Sequence, residues 1–158
     1  MTEQDLRLHR CCFTGHRPEK LKRSEEEIKK GLEEAILKAI YDGYTVFITG
    51  MARGVDIWAG QIVLRLRQSN PDLRIIAALP YPDCDTRWSA NWRRQFGELL
   101  EAADLVKCIS PQYSMASFQK RDEWMVDHTS RVIAVYDGVP GGTKNDLPPD
   151  PCASFRVS

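Results

Sequence analysis

Short apolar runs of strand length alternate with amphipathic stretches of helix length along residues 8–136, and this alternation leaves few architectures open. The most telling run is 73–79. It is almost uninterrupted in its apolar character, as a central parallel strand covered on both faces must be. Further strands are expected over 8–14, 45–49, 105–109 and 131–136.

Between them lie helical patterns. Ser24 and Glu27 form a capping-box signature, Ile28, Leu32, Ala35, Ile36, Ala39 and Ile40 keep helical spacing, and Gly43 supplies a stop. A helix over 54–68 is apolar across a wide arc. A third places Trp88, Trp92, Phe96, Leu99, Leu100 and Ala103 on one face, and a short one is expected near 118–128. Strand–helix alternation of this kind implies right-handed crossovers. The expected fold is therefore α/β and Rossmann-like, with a mainly parallel five-stranded sheet and helices on both faces. One domain covers 1–145. Residues 146–158 carry Pro148, Pro149 and Pro151 without apolar periodicity and read as an irregular tail.

Composition narrows the function classes. The 22 basic and 22 acidic residues cancel, which argues against a nucleic-acid partner, whose phosphates demand a basic excess. No apolar run reaches the ~18 residues of a membrane-spanning helix, and residues 1–10 have no apolar signal-peptide segment. The chain reads as cytoplasmic. Cys11, Cys12, Cys84, Cys108 and Cys152 show no zinc spacing and read as buried free thiols, so no metal is expected. His9, His16 and His128 have no nucleophile context for a triad, and no catalytic residue can be named from such a set.

In open α/β sheets, ligands bind beyond the carboxyl ends of the strands, so the loops after each strand carry the functional reading. After the first comes Gly15-His16-Arg17-Pro18, a glycine followed by a guanidinium fork suited to phosphate. After the second comes Gly50-Met51-Ala52-Arg53-Gly54-Val55-Asp56. Its glycines open the approach to a helix N-terminus, and Asp56 is placed to accept from a ribose hydroxyl. Arg87 is an expected anion contact at the head of the third helix, and Arg121 is placed to reach into the crevice after the fourth strand. The fifth strand is followed by a turn with Gly141, Gly142 and Thr143, again suited to phosphate or ribose.

Four segments in order resemble the SLOG superfamily, related to the DprA/Smf and LOG proteins, and within it the YpsA/YoqJ-like branch of small bacterial and phage proteins. They are CCFTGHRPEKL (11–21), FITGMARGVDIWAG (47–60), RIIAALPYPDCDTRW (74–88) and KRDEWMVDHTSRVIAVYDGVPGGTKN (120–145). The resemblance implies a domain that binds or senses a nucleotide or its derivative, of the ADP-ribose or NAD type, with no required cofactor. It places Gly15, His16, Arg17, Gly50, Gly54, Asp56, Arg121, Gly141, Gly142 and Thr143 at the ligand, and Met51 lies within the same motif.

Two departures stand out. The proline-containing tail replaces the helix and final strand usual in the family, and Asp122 stands where the branch commonly has Asn. A LOG-like nucleoside 5′-monophosphate phosphoribohydrolase is the alternative enzyme. Its PGGxGTxxE loop is only partly present, since Lys144, Asn145 and Asp146 follow Thr143. A protein-interaction adaptor with a vestigial site is the other alternative. A missing final strand leaves an edge to be covered, so a homo-oligomer is expected.

Overall fold

The computed structural model describes residues 2–15, 18–135 and 153–157, the last as a backbone segment. The strands are β1 (Arg10–Gly15), β2 (Val46–Thr49), β3 (Arg74–Leu79), β4 (Leu105–Cys108), β5 (Arg131–Val135) and β6 (Ala153–Val157). They pair in the order β4-β3-β2-β1-β5-β6, every pair parallel. The Rossmann-like α/β arrangement read from the alternation is the arrangement observed.

The helices are α1 (Glu3–Arg7), α2 (Glu25–Tyr41), α3 (Val55–Arg67), α4 (Ala90–Ala102) and α5 (Ser117–Asp127). Ser24 caps α2 by accepting from the Glu27 amide at 3.2 Å, and Gly43, at φ 103°, takes the left-handed conformation that ends the helix. The short helix α1 was not anticipated. Thr2 and Asp5 cap it reciprocally, and Arg7 Nε ties it to the Thr129 carbonyl at 2.7 Å.

Side chains alternate across the sheet, which sorts the core into two layers. On one face Cys11, Phe13, Phe47, Ile75 and Ile133 pack under α2 and α3, and Ala77 and Leu79 pack under α3 and α4. On the other, Cys12, Ile48, Ala78 and Val132 meet Met125 of α5. The asymmetry follows from topology. Right-handed crossovers from β1 through β4 advance in one direction and stack α2, α3 and α4 on one face. The return from β4 to β5 reverses direction and puts α5 on the opposite face.

Three sequence expectations change. The five expected strands form the parallel sheet, and residues 153–157, expected as irregular tail, add a sixth that pairs in register with β5 from Arg131↔Ala153 to Val135↔Val157. β6 thereby occupies the β5 edge whose exposure motivated the expected homo-oligomer. The edge strand at the other end of the sheet is β4, where Leu105 and Val106 are 56% and 45% accessible. Cys11 and Cys12 are buried as expected, but Cys108 is exposed on β4 and Cys152 lies outside the described residues. Among the described residues no helix is long and apolar enough to cross a membrane.

Candidate functional site

Gly15 at the end of β1 lies beside Val135 at the end of β5. At these neighbours the strand order reverses, β2, β3 and β4 following on one side of β1 and β5 lying on the other, and such a switch point opens a crevice beyond the strand ends. A cavity of about 780 Å³ occupies that edge. It runs from Thr14 and Gly15, past the β2–α3 loop, to the loops after β3 and β4, and its floor is Cys12, Val132 and Met125.

The β2–α3 loop is built to leave backbone close to this space. Thr49 is buried, and its hydroxyl donates to the Asp56 carbonyl at 2.8 Å while accepting from the Met51 amide at 3.2 Å. The turn requires a positive φ of 63° at Met51 and 91° at Gly54. Gly54 is the N-cap of α3, and no side chain caps that terminus. The first amides of a helix have no intrahelical acceptor and carry the positive end of its dipole, so this end suits an anion. Arg53 leaves the loop to pair with Glu19 at 2.7 Å, which fastens the β2–α3 loop to the segment after β1.

Arg121 and Asp56 face one another across Gly50. Both are 8% accessible. Arg121 Nη1 donates to the Gly50 carbonyl at 3.0 Å, and its Nε donates to Asp122 Oδ1 at 3.1 Å. Asp56 Oδ2 accepts from the Ala52 amide at 3.3 Å. Burial pushes the Asp56 carboxyl up to about 6, against the opposing pull of Arg121. A β-carbon on Gly50 would lie 2.8 Å from Asp56 Oδ2 and 3.2 Å from Arg121 Nε, so only glycine fits between the two charges. Asp122, 65% accessible, partly neutralises Arg121 from the solvent side.

The far wall comes from the loops after β3 and β4. Tyr81 meets Tyr113 edge-on, with ring centres 5.4 Å apart, and Phe118 edge-on at 5.8 Å. The Arg121 guanidinium lies over the Phe118 ring at 5.6 Å. Asp83, at φ 58°, and Thr86 line the turn that follows Tyr81. Met51 and Asp83 are the two non-glycine residues with positive φ among the described residues, and both line the cavity. Backbone held in that region is concentrated where ligands are clamped.

The structure gathers Gly15, Gly50, Met51, Asp56, Arg87 and Arg121 around one cavity. Their roles differ in detail from the sequence reading. Gly15 is small because Val55 Cγ2 would lie 2.7 Å from any β-carbon there. Gly54 is buried away from the lining, where a β-carbon would lie 2.9 Å from the Pro18 ring. Asp56 is turned into the loop it supports. Arg87 precedes α4, which begins at Ala90 under a Ser89 cap. His16, Arg17, Gly141, Gly142 and Thr143 lie outside the described residues. Sequence reasoning missed Arg53, Tyr81, Tyr113 and Phe118 as wall residues. An aromatic residue soon after each of two strand ends was the available signal. Among the described residues no group of His, Cys, Asp and Glu is arranged to hold a metal ion.

Comparison with known proteins identifies a family. The YspA SLOG family model matches residues 11–146. A UPF0398 protein of Halalkalibacterium halodurans is 30% identical over 112 residues, covering 70% of this chain and 59% of the relative. The SPbeta prophage-derived protein YoqJ of Bacillus subtilis is 34% identical over 113 residues, covering 64% of this chain and 66% of the relative. A UPF0398 protein of Lactobacillus delbrueckii is 32% identical over 123 residues, 75% of this chain and 66% of the relative. The matched region thus spans about three fifths to two thirds of these relatives' length. On this match, the chain belongs to the YspA SLOG family.

Proposed function

We propose that the chain binds a nucleotide or nucleotide derivative, of the ADP-ribose or NAD type, across the carboxyl edge of its sheet. The observation that carries this reading is the 780 Å³ cavity at the switch point, with Asp56 of the first turn of α3 and Arg53, Arg87 and Arg121 in its lining. That volume is in the range of small-molecule sites, roughly 300–1,000 Å³. Parallel α/β sheets use this edge for phosphorylated ligands because backbone amides and helix dipoles converge there.

A thermal-shift panel of AMP, ADP, ADP-ribose and NAD tests the reading. A ligand confined to the native state stabilises by about 2.7 kcal/mol at a hundredfold excess over Kd. No shift with any of the four, on folded protein, would leave the adaptor as the better account.

One observation favours turnover as a second reading. Asp56 is a buried carboxyl raised to about 6, the sort of perturbed acid that acid–base chemistry uses. In that reading Asp56 assists hydrolysis of the N-glycosidic bond of a nucleoside 5′-monophosphate. Chromatography of AMP after incubation tests it. Free adenine with ribose 5-phosphate, lost in Asp56→Asn, supports hydrolysis, and intact AMP overturns it.

A further inference from the structure

Three aromatic rings from two separate segments converge on one end of the cavity. Tyr81 follows β3, and Tyr113 and Phe118 follow β4. Tyr113 is 61% and Phe118 38% accessible, although both touch Tyr81 and line the cavity, so ring surface stays open toward it. An apolar patch left exposed inside a charged cleft marks a ligand surface more than a folding core. The Arg121 guanidinium over Phe118 holds that ring in place and carries positive charge beside it. At the opposite end the ring that lines the cavity is Phe13 of β1, which is 3% accessible and packed in the core, so it offers no open face. The rest of that end is Thr14, Gly15 and the β2–α3 loop, where Arg53 adds a guanidinium to the lining.

The strand order places β3 and β4 two and three neighbours away from β1. With strands ~4.8 Å apart, the aromatic end is about 10–14 Å from the switch point. We infer that Tyr81, Tyr113 and Phe118 form the ring-binding subsite of this cavity. The planar base of the ligand lies at the β3–β4 end, and its phosphates lie toward the β1–β2 end. This inference rests on the nucleotide reading above and adds an orientation to it. Aromatic side chains serve this purpose because every base presents a π-face, whatever its hydrogen-bonding edge.

The test is calorimetric titration of the full chain with ADP-ribose and with ribose 5-phosphate, which lacks the base. Tyr113 is exposed enough that Tyr113→Ala leaves the fold intact, and circular dichroism checks this. The expected result is that Tyr113→Ala weakens ADP-ribose about tenfold, as loss of a stacking contact does, and leaves ribose 5-phosphate unchanged. Tyr113→Phe keeps the wild-type affinity for both. Phe118→Ala repeats the loss. If ADP-ribose binds the wild type and both alanine variants equally, the base lies elsewhere, the exposed rings face a protein partner, and the inference is overturned while the nucleotide reading stands. If the wild type binds neither probe, the nucleotide reading itself fails and the subsite fails with it.

Discussion

Arg121 donates to the carbonyl of Gly50 at 3.0 Å, joining α5 on one face of the sheet to the loop that opens α3 on the other, 71 residues away in the chain. The bond is buried, so the carbonyl has no water to replace its partner. Arg121→Ala therefore leaves an orphaned acceptor and an emptied volume, and is expected to destabilise by about 1–3 kcal/mol. Arg121→Lys has no planar fork to serve Gly50 and Asp122 together, and recovers only part of the loss. Urea unfolding measures both. A change within about 0.5 kcal/mol in Arg121→Ala would mean the bond does not hold the loop.

Gly50 is predicted to be intolerant for a reason its backbone does not reveal. Its φ is not positive, yet a β-carbon collides with Asp56 and Arg121 together. Gly50→Ala is expected to cost about 1–3 kcal/mol through this crowding. Gly97, exposed on α4 with nothing within 4 Å of a built β-carbon, is the control. Gly97→Ala is expected to stabilise by about 0.5–1 kcal/mol, since alanine is the better helix former. Melting temperatures moving in opposite directions are the expected signature. A stabilised Gly50→Ala would contradict the packing described.

Asp122 spends its charge on Arg121 from the solvent side. Asp122→Asn removes a negative charge near the cavity and frees guanidinium donors. Tighter binding of ADP-ribose, up to about fivefold, is expected, in keeping with the 0–1 kcal/mol of exposed charge pairs. Calorimetry checks the sign, and weaker binding would show that Asp122 itself contacts the ligand.

Much of this arrangement was legible in the sequence because it depends on local pattern. The 73–79 run, the Ser24 cap and the Gly43 stop each specify structure within a few residues, and each appears where the pattern puts it. The glycines at strand ends flagged the right edge of the sheet. What they do there was hidden, because the partners of Gly15 and Gly54 are Val55 and Pro18, contacts only the tertiary fold creates. The aromatic wall escaped notice for the same reason, since Tyr81 meets Phe118 only when β3 and β4 lie side by side. β6 was missed because residues 153–157 are too short to show a period and follow a proline-containing stretch.

The Asp56 carboxyl makes stability depend on pH in a predictable direction. Its folded-state value near 6 lies above the ordinary 3.8, so between those values the native state binds more protons than the unfolded chain. Stability therefore falls as pH rises through that window, and the penalty is complete above it. Asp56→Asn removes this contribution while keeping the side chain's shape. Between pH 4 and 6 the wild type is expected to lose stability relative to the variant, measured as the difference in melting temperature at each pH. A difference that stays flat across the window would mean that Asp56 is not proton-linked to folding.

The central claim is that the switch-point cavity receives a nucleotide derivative, and titration of ADP-ribose into the wild type and Arg87→Ala tests it most directly. Arg87 is exposed in the cavity lining, so its removal tests binding without disturbing the core. Saturable binding by the wild type, weakened about tenfold in Arg87→Ala as loss of a charge-assisted contact of roughly 1.5 kcal/mol implies, is the predicted result. Absence of binding by folded wild-type protein, or equal binding by both, would contradict it.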